Sequence, residues 1–204
     1  ARHSLATQLE RLDFDRLASI VSGGGEALTA DEIQRRAALA QPPVALVRLP
    51  AHGGNAAEQE RARERGESML REGKVGAILV AGGQGSRLGF DRPKGMFPIG
   101  PVSGKTLFQL LCEQLLARGR KAGKAIPYFI MTSSVTHEAT LQFFAENAYF
   151  GLDPHDVFFF QQGALPTVDA EHGRILLDER HCISEGPDGH GGLLHALKNA
   201  GLID

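Results

Sequence analysis

Between residues 4 and 21, Leu5, Leu9, Leu12, Leu17 and Ile20 recur mostly three or four apart, the spacing of one helix face. Thr29-Ala30-Asp31-Glu32 then has the form of a capping box opening a second helix, so the first forty residues predict a helical hairpin stopped by Pro42 and Pro43. The loop through PAHGGN ends at Asn55, a suitable N-cap for the charged helix of AAEQERARERGESMLREGK, whose alternating Glu and Arg mark a solvated face. From Lys74 the pattern changes. VGAILVA is a continuous apolar run, as expected of a strand buried on both faces of a parallel sheet. KTLFQLLCEQLLARGRKAG predicts a long helix beginning near Lys105 at Ser103 or Gly104, IPYFIMTSS a second buried strand, THEATLQFFAENAYF another helix, and DVFFFQQG a third strand. Strand, helix, strand, helix, strand is the order of an α/β sheet with right-handed crossovers. ALPTVDAEHGRILLD predicts a hairpin around Glu171, His172 and Gly173, and GPDGHGG is a second Gly-rich loop leading into LLHALKNAG. The chain divides by pattern into a helical region, 1–73, and a sheet-forming region, 74–204.

The 204 residues, 42% of them hydrophobic, suffice for a folded core. A net charge of −2 gives no general phosphate-attracting field, which argues against nucleic acid as a partner and makes any phosphate site a local one. Cys112 and Cys182 form no C-x-x-C arrangement, so neither a disulfide framework nor a zinc knuckle is expected and a reducing cytoplasm is the default compartment. No apolar run approaches the 18 or so residues of a membrane span, and ARHSLATQLE has no signal-peptide core. The first residue is Ala rather than Met, as expected after processing or trimming.

In an α/β sheet, ligands sit beyond the carboxyl ends of the strands. Those ends are the loop after Ala81, TSS after Met131 and QQG after Phe160; the first and third carry the most unusual chemistry. The first reads AGGQGSRLGFDRPKG. Its glycines at 83, 85 and 89 are one residue too long for the dinucleotide fingerprint G-x-G-x-x-G. Downstream, GPVSGKT imitates the phosphate loop of ATPases, but the required first glycine falls on Ile99 and no buried strand precedes it. Bare N–H groups at Gly82, Gly83 and Gly85 suit an anion nest, Gly lets a phosphate approach the backbone, and Arg87 and Lys94 add full charges, the latter aimed by Pro93. A nest with two cations is a diphosphate or triphosphate site. The plainer reading is a glycine turn with two solvated basic residues.

LVAGGQGSRLGFDRPKG resembles the L-x-x-G-G-x-G-[TS]-R-L-G-x-x-x-P-K-G signature of the UDP-sugar pyrophosphorylases, most of all the eukaryotic-type UDP-N-acetylhexosamine pyrophosphorylases. SGKTLFQL, IPYFIMTSS, YFGL, VFFFQQGALP and GPDGHGG follow in that family's order, over about residues 75–200. The resemblance implies a Rossmann-like nucleotide-diphospho-sugar transferase sheet with a helical N-terminal region. It further implies transfer of a uridylyl group from UTP to a sugar 1-phosphate with release of pyrophosphate, N-acetylglucosamine 1-phosphate being favoured. Alternatives are glucose 1-phosphate as acceptor, or a uridine-nucleotide-binding module without turnover.

By the same resemblance, Gly82, Gly83 and Gly85 approach the nucleotide, Arg87 grips the leaving pyrophosphate and Lys94 sits beside the reacting phosphates. Gln162 reads the uracil edge and Gly189 closes on the base. The acetylhexosamine branch commonly has Asn where this chain has His190, which instead resembles the G-H-G loop of UDP-glucose pyrophosphorylases; His190 is thus expected at the nucleotide, with sugar identity open. Zinc is not expected there, since His190 and His195 lie off one helix face without a third ligand. Magnesium is implied as cofactor, its aspartate on later strands beyond residue 204. The chain is therefore expected to be the N-terminal part of a longer protein, and to bind UTP with little turnover if Asp204 is its true end.

Overall fold

The computed structural model describes residues 2–10, 12–23, 29–43 and 45–203. They form two compact units, residues 1–55 with 165–186, and residues 56–164 with 187–204. The charged helix, grouped by sequence pattern with the N-terminal region, falls in the second unit, where it packs against the long helix after the first strand.

In the first unit the single helix expected over 4–21 is two, α1 (Arg2–Glu10) and α2 (Phe14–Gly23). A tight turn from the Leu12 N–H to the Leu9 carbonyl ends α1, and the carbonyl of Asp13 starts α2 by accepting from Leu17. Asp is a poor interior helix residue and a favoured helix opener, which is why the break falls there. The side chain of Ile20 lies outside the described residues. Helix α3 (Ala30–Ala38) begins as its capping sequence predicts, with the Thr29 hydroxyl accepting from the Glu32 N–H at 3.2 Å. The hairpin around His172 forms: Asp169 and Arg174 close it, and the Asp169 carboxylate accepts from the N–H groups of His172, Arg174 and Glu171. Beyond it, β5 (Leu177–Glu179) pairs with β6 (Cys182–Ile183), and the Gln8 amide bridges the His181 carbonyl and Ile183 N–H.

The second unit opens with α4 (Ala56–Arg71), which begins directly after Asn55. Its core is a parallel sheet in the order β1 (Ala77–Val80), β2 (Tyr128–Thr132), β3 (Val157–Gln161). The connections are α5 (Leu107–Ala122) and α6 (His137–Glu146). On one face Leu79, Tyr128, Ile130, Val157 and Phe159 pack with Phe108 and Cys112 of α5 and Phe144 of α6. On the other, Val80, Phe129, Met131 and Phe160 pack with Ala196 and Leu197 of α7 (Leu193–Asn199). The expectation of burial on both faces fails for β1: Ile78 stays 48% exposed on the α7 side, because β1 is an edge of the described sheet and α7 packs on Val80 at its carboxyl end. Short strands β4 (Ala164–Pro166) and β7 (Glu185–Pro187) pair with each other.

Two helix boundaries differ from the sequence expectation. Helix α5 is capped by Thr106, whose hydroxyl accepts from the Gln109 N–H, while Gly104 takes a left-handed φ of 63° that belongs to the preceding turn. Helix α6 ends at Glu146, where Asn147 Nδ2 donates to the Phe143 carbonyl. Ala148, Tyr149 and Phe150 then all take left-handed φ between 47° and 53°, a conformation costing L-residues about 1–2 kcal/mol each. Rings from this turn pack on Phe143 and Phe144, with Phe150 and Phe144 edge to face at 5.3 Å, which offsets that cost.

Candidate functional site

The three strand ends differ in what they leave open. At the middle one, the Thr132 hydroxyl donates to the Phe160 carbonyl and meets His137 Nδ1 at 2.7 Å. Ser133 and Thr136, both buried, hydrogen-bond each other, and Thr136 reaches the Ala81 carbonyl. Hydroxyls thus tie the end of β2 to its neighbours and leave the outer strand ends to form a cleft.

Beyond β1 the chain doubles back. Gly85 N–H donates to the Arg92 carbonyl at 2.9 Å, Lys94 N–H to the Gly83 carbonyl at 3.0 Å, and Gln84 pairs with Pro93. This fold-back returns Lys94 to the base of the loop, its Nζ 3.9 Å from where a Cβ on Gly83 would stand. The next residue, Gly95, lies against the ring of Phe108, so close that an added Cβ would fall 2.2 Å from Cζ. Beyond β3, the Gln162 side chain lies over Gly82, with Oε1 2.9 Å from the Cβ position there. Gly189 takes φ 78° and ψ −172°, a region only glycine occupies readily, and His190 begins the turn leading to α7.

These segments enclose a cleft of about 350 Å³ at the carboxyl ends of β1 and β3. Gly82, Gly83, Lys94, Gln162, Gly189 and His190 line it together, with Leu107, Phe108 and Leu111 of α5 as an apolar wall. Gly85 and Arg87 do not line it. Gly85 is buried under Phe90, its N–H already given to Arg92, so it shapes the fold-back rather than offering a donor to an anion. Arg87 is exposed on the one-turn helix Ser86–Leu88. Lys105, centre of the ATPase-like stretch, pairs with Glu113 at 2.6 Å and is absent from the cleft lining. Sequence reasoning did not reach the α5 wall or Gly95: both arise from contacts between segments distant in the chain, and only the glycine of P-K-G signalled a close approach.

Among the described lining residues, one ammonium, the N–H groups of Gly82, Gly83 and Gly189 free of backbone acceptors, an amide and an apolar wall come together, with no carboxylate. That set suits an anionic ligand bearing a flat polar group. A family model, that of UTP–glucose-1-phosphate uridylyltransferase, matches residues 40–204. The chain belongs to this family. The relatives it matches include UDP-N-acetylglucosamine diphosphorylase 2 of Arabidopsis thaliana, 41% identical over 158 residues, which cover 72% of this chain and 31% of that protein. UDP-N-acetylhexosamine pyrophosphorylase-like protein 1 of Xenopus tropicalis is 34% identical, covering 100% of this chain and 41% of that protein. Among solved structures, the uridine diphosphate N-acetylglucosamine pyrophosphorylase of Trypanosoma brucei, in complex with an inhibitor, superposes with a TM-score of 0.76 at 30% identity, over 96% of this chain and 40% of that one. The fold is therefore the α/β nucleotidyltransferase fold of this family. The chain spans 31% to 41% of the length of these two curated relatives.

Proposed function

We propose that this chain carries the UTP site of a uridylyltransferase that joins UTP to a sugar 1-phosphate and releases pyrophosphate, with N-acetylglucosamine 1-phosphate as the favoured acceptor. The observation that carries this reading is the convergence of two glycine loops on one cleft: Gly82, Gly83 and Lys94 from the first, Gly189 and His190 from the second, with Gln162 between them. In this reading the Gly82 and Gly83 backbone and the Lys94 ammonium take the phosphates, and the Gln162 amide and Gly189 backbone take the uracil edge. The acceptor phosphate oxygen attacks the α-phosphorus in line, that P–O bond forms as the bond to pyrophosphate breaks, and no covalent enzyme intermediate intervenes. Two anions that repel each other must be held together, so Lys94 and N–H donors do the work and no nucleophilic triad is needed. Arg87, exposed on the Ser86–Leu88 turn and outside the cleft lining, is the cation that the family resemblance assigns to the leaving pyrophosphate.

Magnesium, which the family resemblance implies, meets no carboxylate among the described lining residues, so the residues present do not make a site for it. Glucose 1-phosphate is the second acceptor to test, because the matched family is described by that sugar and His190 stands where the acetylhexosamine branch commonly has Asn. No helix among the described residues is long and apolar enough to cross a membrane. A reducing cytoplasm is the proposed compartment because Cys112 and Cys182 form no C-x-x-C arrangement or disulfide framework. A pyrophosphate-release assay with UTP and a panel of sugar 1-phosphates, on the full-length protein, tests the reading. Release with N-acetylglucosamine 1-phosphate is expected, and no release with any hexose phosphate overturns it.

A further inference from the structure

The two arms proposed to hold the base meet at a carboxylate. Gly163 follows Gln162, Asp188 precedes Gly189, and the Asp188 N–H donates to the Gly163 carbonyl at 3.0 Å. The Asp188 side chain lies flat against two glycines: a Cβ added to Gly163 would stand 2.4 Å from Oδ2, and one added to Gly192 would stand 2.2 Å from it. Gly192 has φ −77° and ψ −2°, open to any residue, and Gly163 has no left-handed φ. The carboxylate, rather than the backbone, is what demands glycine at these positions. Its Oδ1 is buried without a hydrogen-bond partner among the described residues. An unpaired buried carboxylate oxygen is unfavourable, so shape is what holds this group in place.

A reason for such a wedge follows from how a base is read. Uracil presents a donor at N3 between two carbonyls, whereas cytosine presents an acceptor at N3 beside an amino group. A glutamine amide satisfies either one by flipping, since its oxygen and nitrogen exchange places. A backbone N–H cannot flip. Gly189 lines the cleft, and its N–H has no acceptor among the described residues. Set opposite the 4-position, that N–H donates to the uracil carbonyl oxygen and repels the cytosine amino group. The choice between the bases then depends on holding Gly189 at a fixed separation from Gln162.

We propose that the Asp188 carboxylate, wedged between Gly163 and Gly192, is a positioning residue that fixes Gly189 against Gln162 and thereby sets the preference for uracil over cytosine. This rests on the reading of the cleft as a uridine-nucleotide site. It extends that reading to a side chain outside the cleft lining.

The test is calorimetric affinity for UTP, CTP and pyrophosphate, with melting temperature measured alongside, for the full chain and for Asp188→Ala, Asp188→Asn, Gly192→Ala and the Asp188→Ala/Gly192→Ala pair. Asp188→Ala lowers the preference for UTP over CTP by about tenfold, the weight of one well-made hydrogen bond, and leaves pyrophosphate affinity unchanged. Asp188→Asn keeps the preference because it keeps the shape. Gly192→Ala alone lowers it by driving out the carboxylate, and the double variant regains part of the loss because the methyl occupies the vacated space. Should Asp188→Ala melt below the assay temperature, Asp188→Asn and the double variant decide the question. An unchanged preference in Gly192→Ala and the double variant, or a loss in Asp188→Asn as large as in Asp188→Ala, overturns the wedge. A parent chain that binds UTP and CTP alike overturns the uridine-site reading itself, an outcome seen before any variant is made.

Discussion

A methyl group added at Gly95 has nowhere to go. Built on the backbone, it would lie 2.2 to 2.4 Å from three ring carbons of Phe108, whereas carbon atoms in contact prefer about 3.5–4.0 Å. Phe108 cannot yield: it is 1% exposed, with the Phe144 ring centred 5.2 Å away and the Phe143 ring 6.3 Å away. The backbone at Gly95 has no left-handed φ, so Gly95→Ala tests packing alone. Overpacking of this kind costs about 1–3 kcal/mol, which for a chain of this size lowers the melting temperature by roughly 2–12 °C. The displaced element is the turn Lys94–Met96, so the Lys94 ammonium moves with it and UTP affinity falls in parallel. Phe108→Leu removes the ring atoms in question, so the pair Gly95→Ala/Phe108→Leu melts higher than the sum of the single losses predicts. Melting curves and UTP titrations of the four proteins check this. A Gly95→Ala variant that melts with the parent, or strictly additive losses, would show that Phe108 does not bar a side chain at this position.

Three further outcomes follow from local geometry. Lys105→Ala leaves UTP affinity unchanged within about twofold, since its ammonium is held by Glu113 and the weight of an exposed pair is small; titration of the variant checks this. Thr106→Ala removes the α5 cap and lowers stability by about 1 kcal/mol in a denaturant titration. Backbone N–H donors, that of His172 first, with Arg174 and Glu171 after it, hold the Asp169 carboxyl below its ordinary value of 3.8. Its contribution is therefore fully present above that ordinary value and fades as pH falls through the lower folded-state value, loosening the hairpin in acid. Amide exchange at His172 and Arg174 follows the change, and Asp169→Asn removes the pH dependence in that window.

The order of strands and helices in the sheet unit was legible because continuous apolar runs and helical repeats are local signals. VGAILVA, IPYFIMTSS and DVFFFQQG each gave their strand, and TADE gave the start of α3. Boundaries set by one residue's competing preference were harder: Asp13 splits α1 from α2, Thr106 rather than Ser103 or Gly104 caps α5, and aromatic packing carries the chain into a left-handed turn after Asn147. The one-sided burial of Ile78 could not be read, because apolar composition says nothing about which neighbour covers each face.

At the cleft, Gly82, Gly83, Lys94, Gln162, Gly189 and His190 converge as motif order suggests. Gly85 departs from the expected nest because its N–H is used inside the loop. The Asp188 wedge and the Gly95–Phe108 contact join segments far apart in sequence, and no local pattern marks such a pair.

Whether this cleft holds a uridine nucleotide is decided by titration of UTP into the chain, compared with ATP and with Gln162→Ala. UTP is expected to bind in preference to ATP, and Gln162→Ala to weaken UTP by about tenfold. UTP affinity indifferent to Gln162→Ala, or binding lost in Lys105→Ala instead, contradicts it.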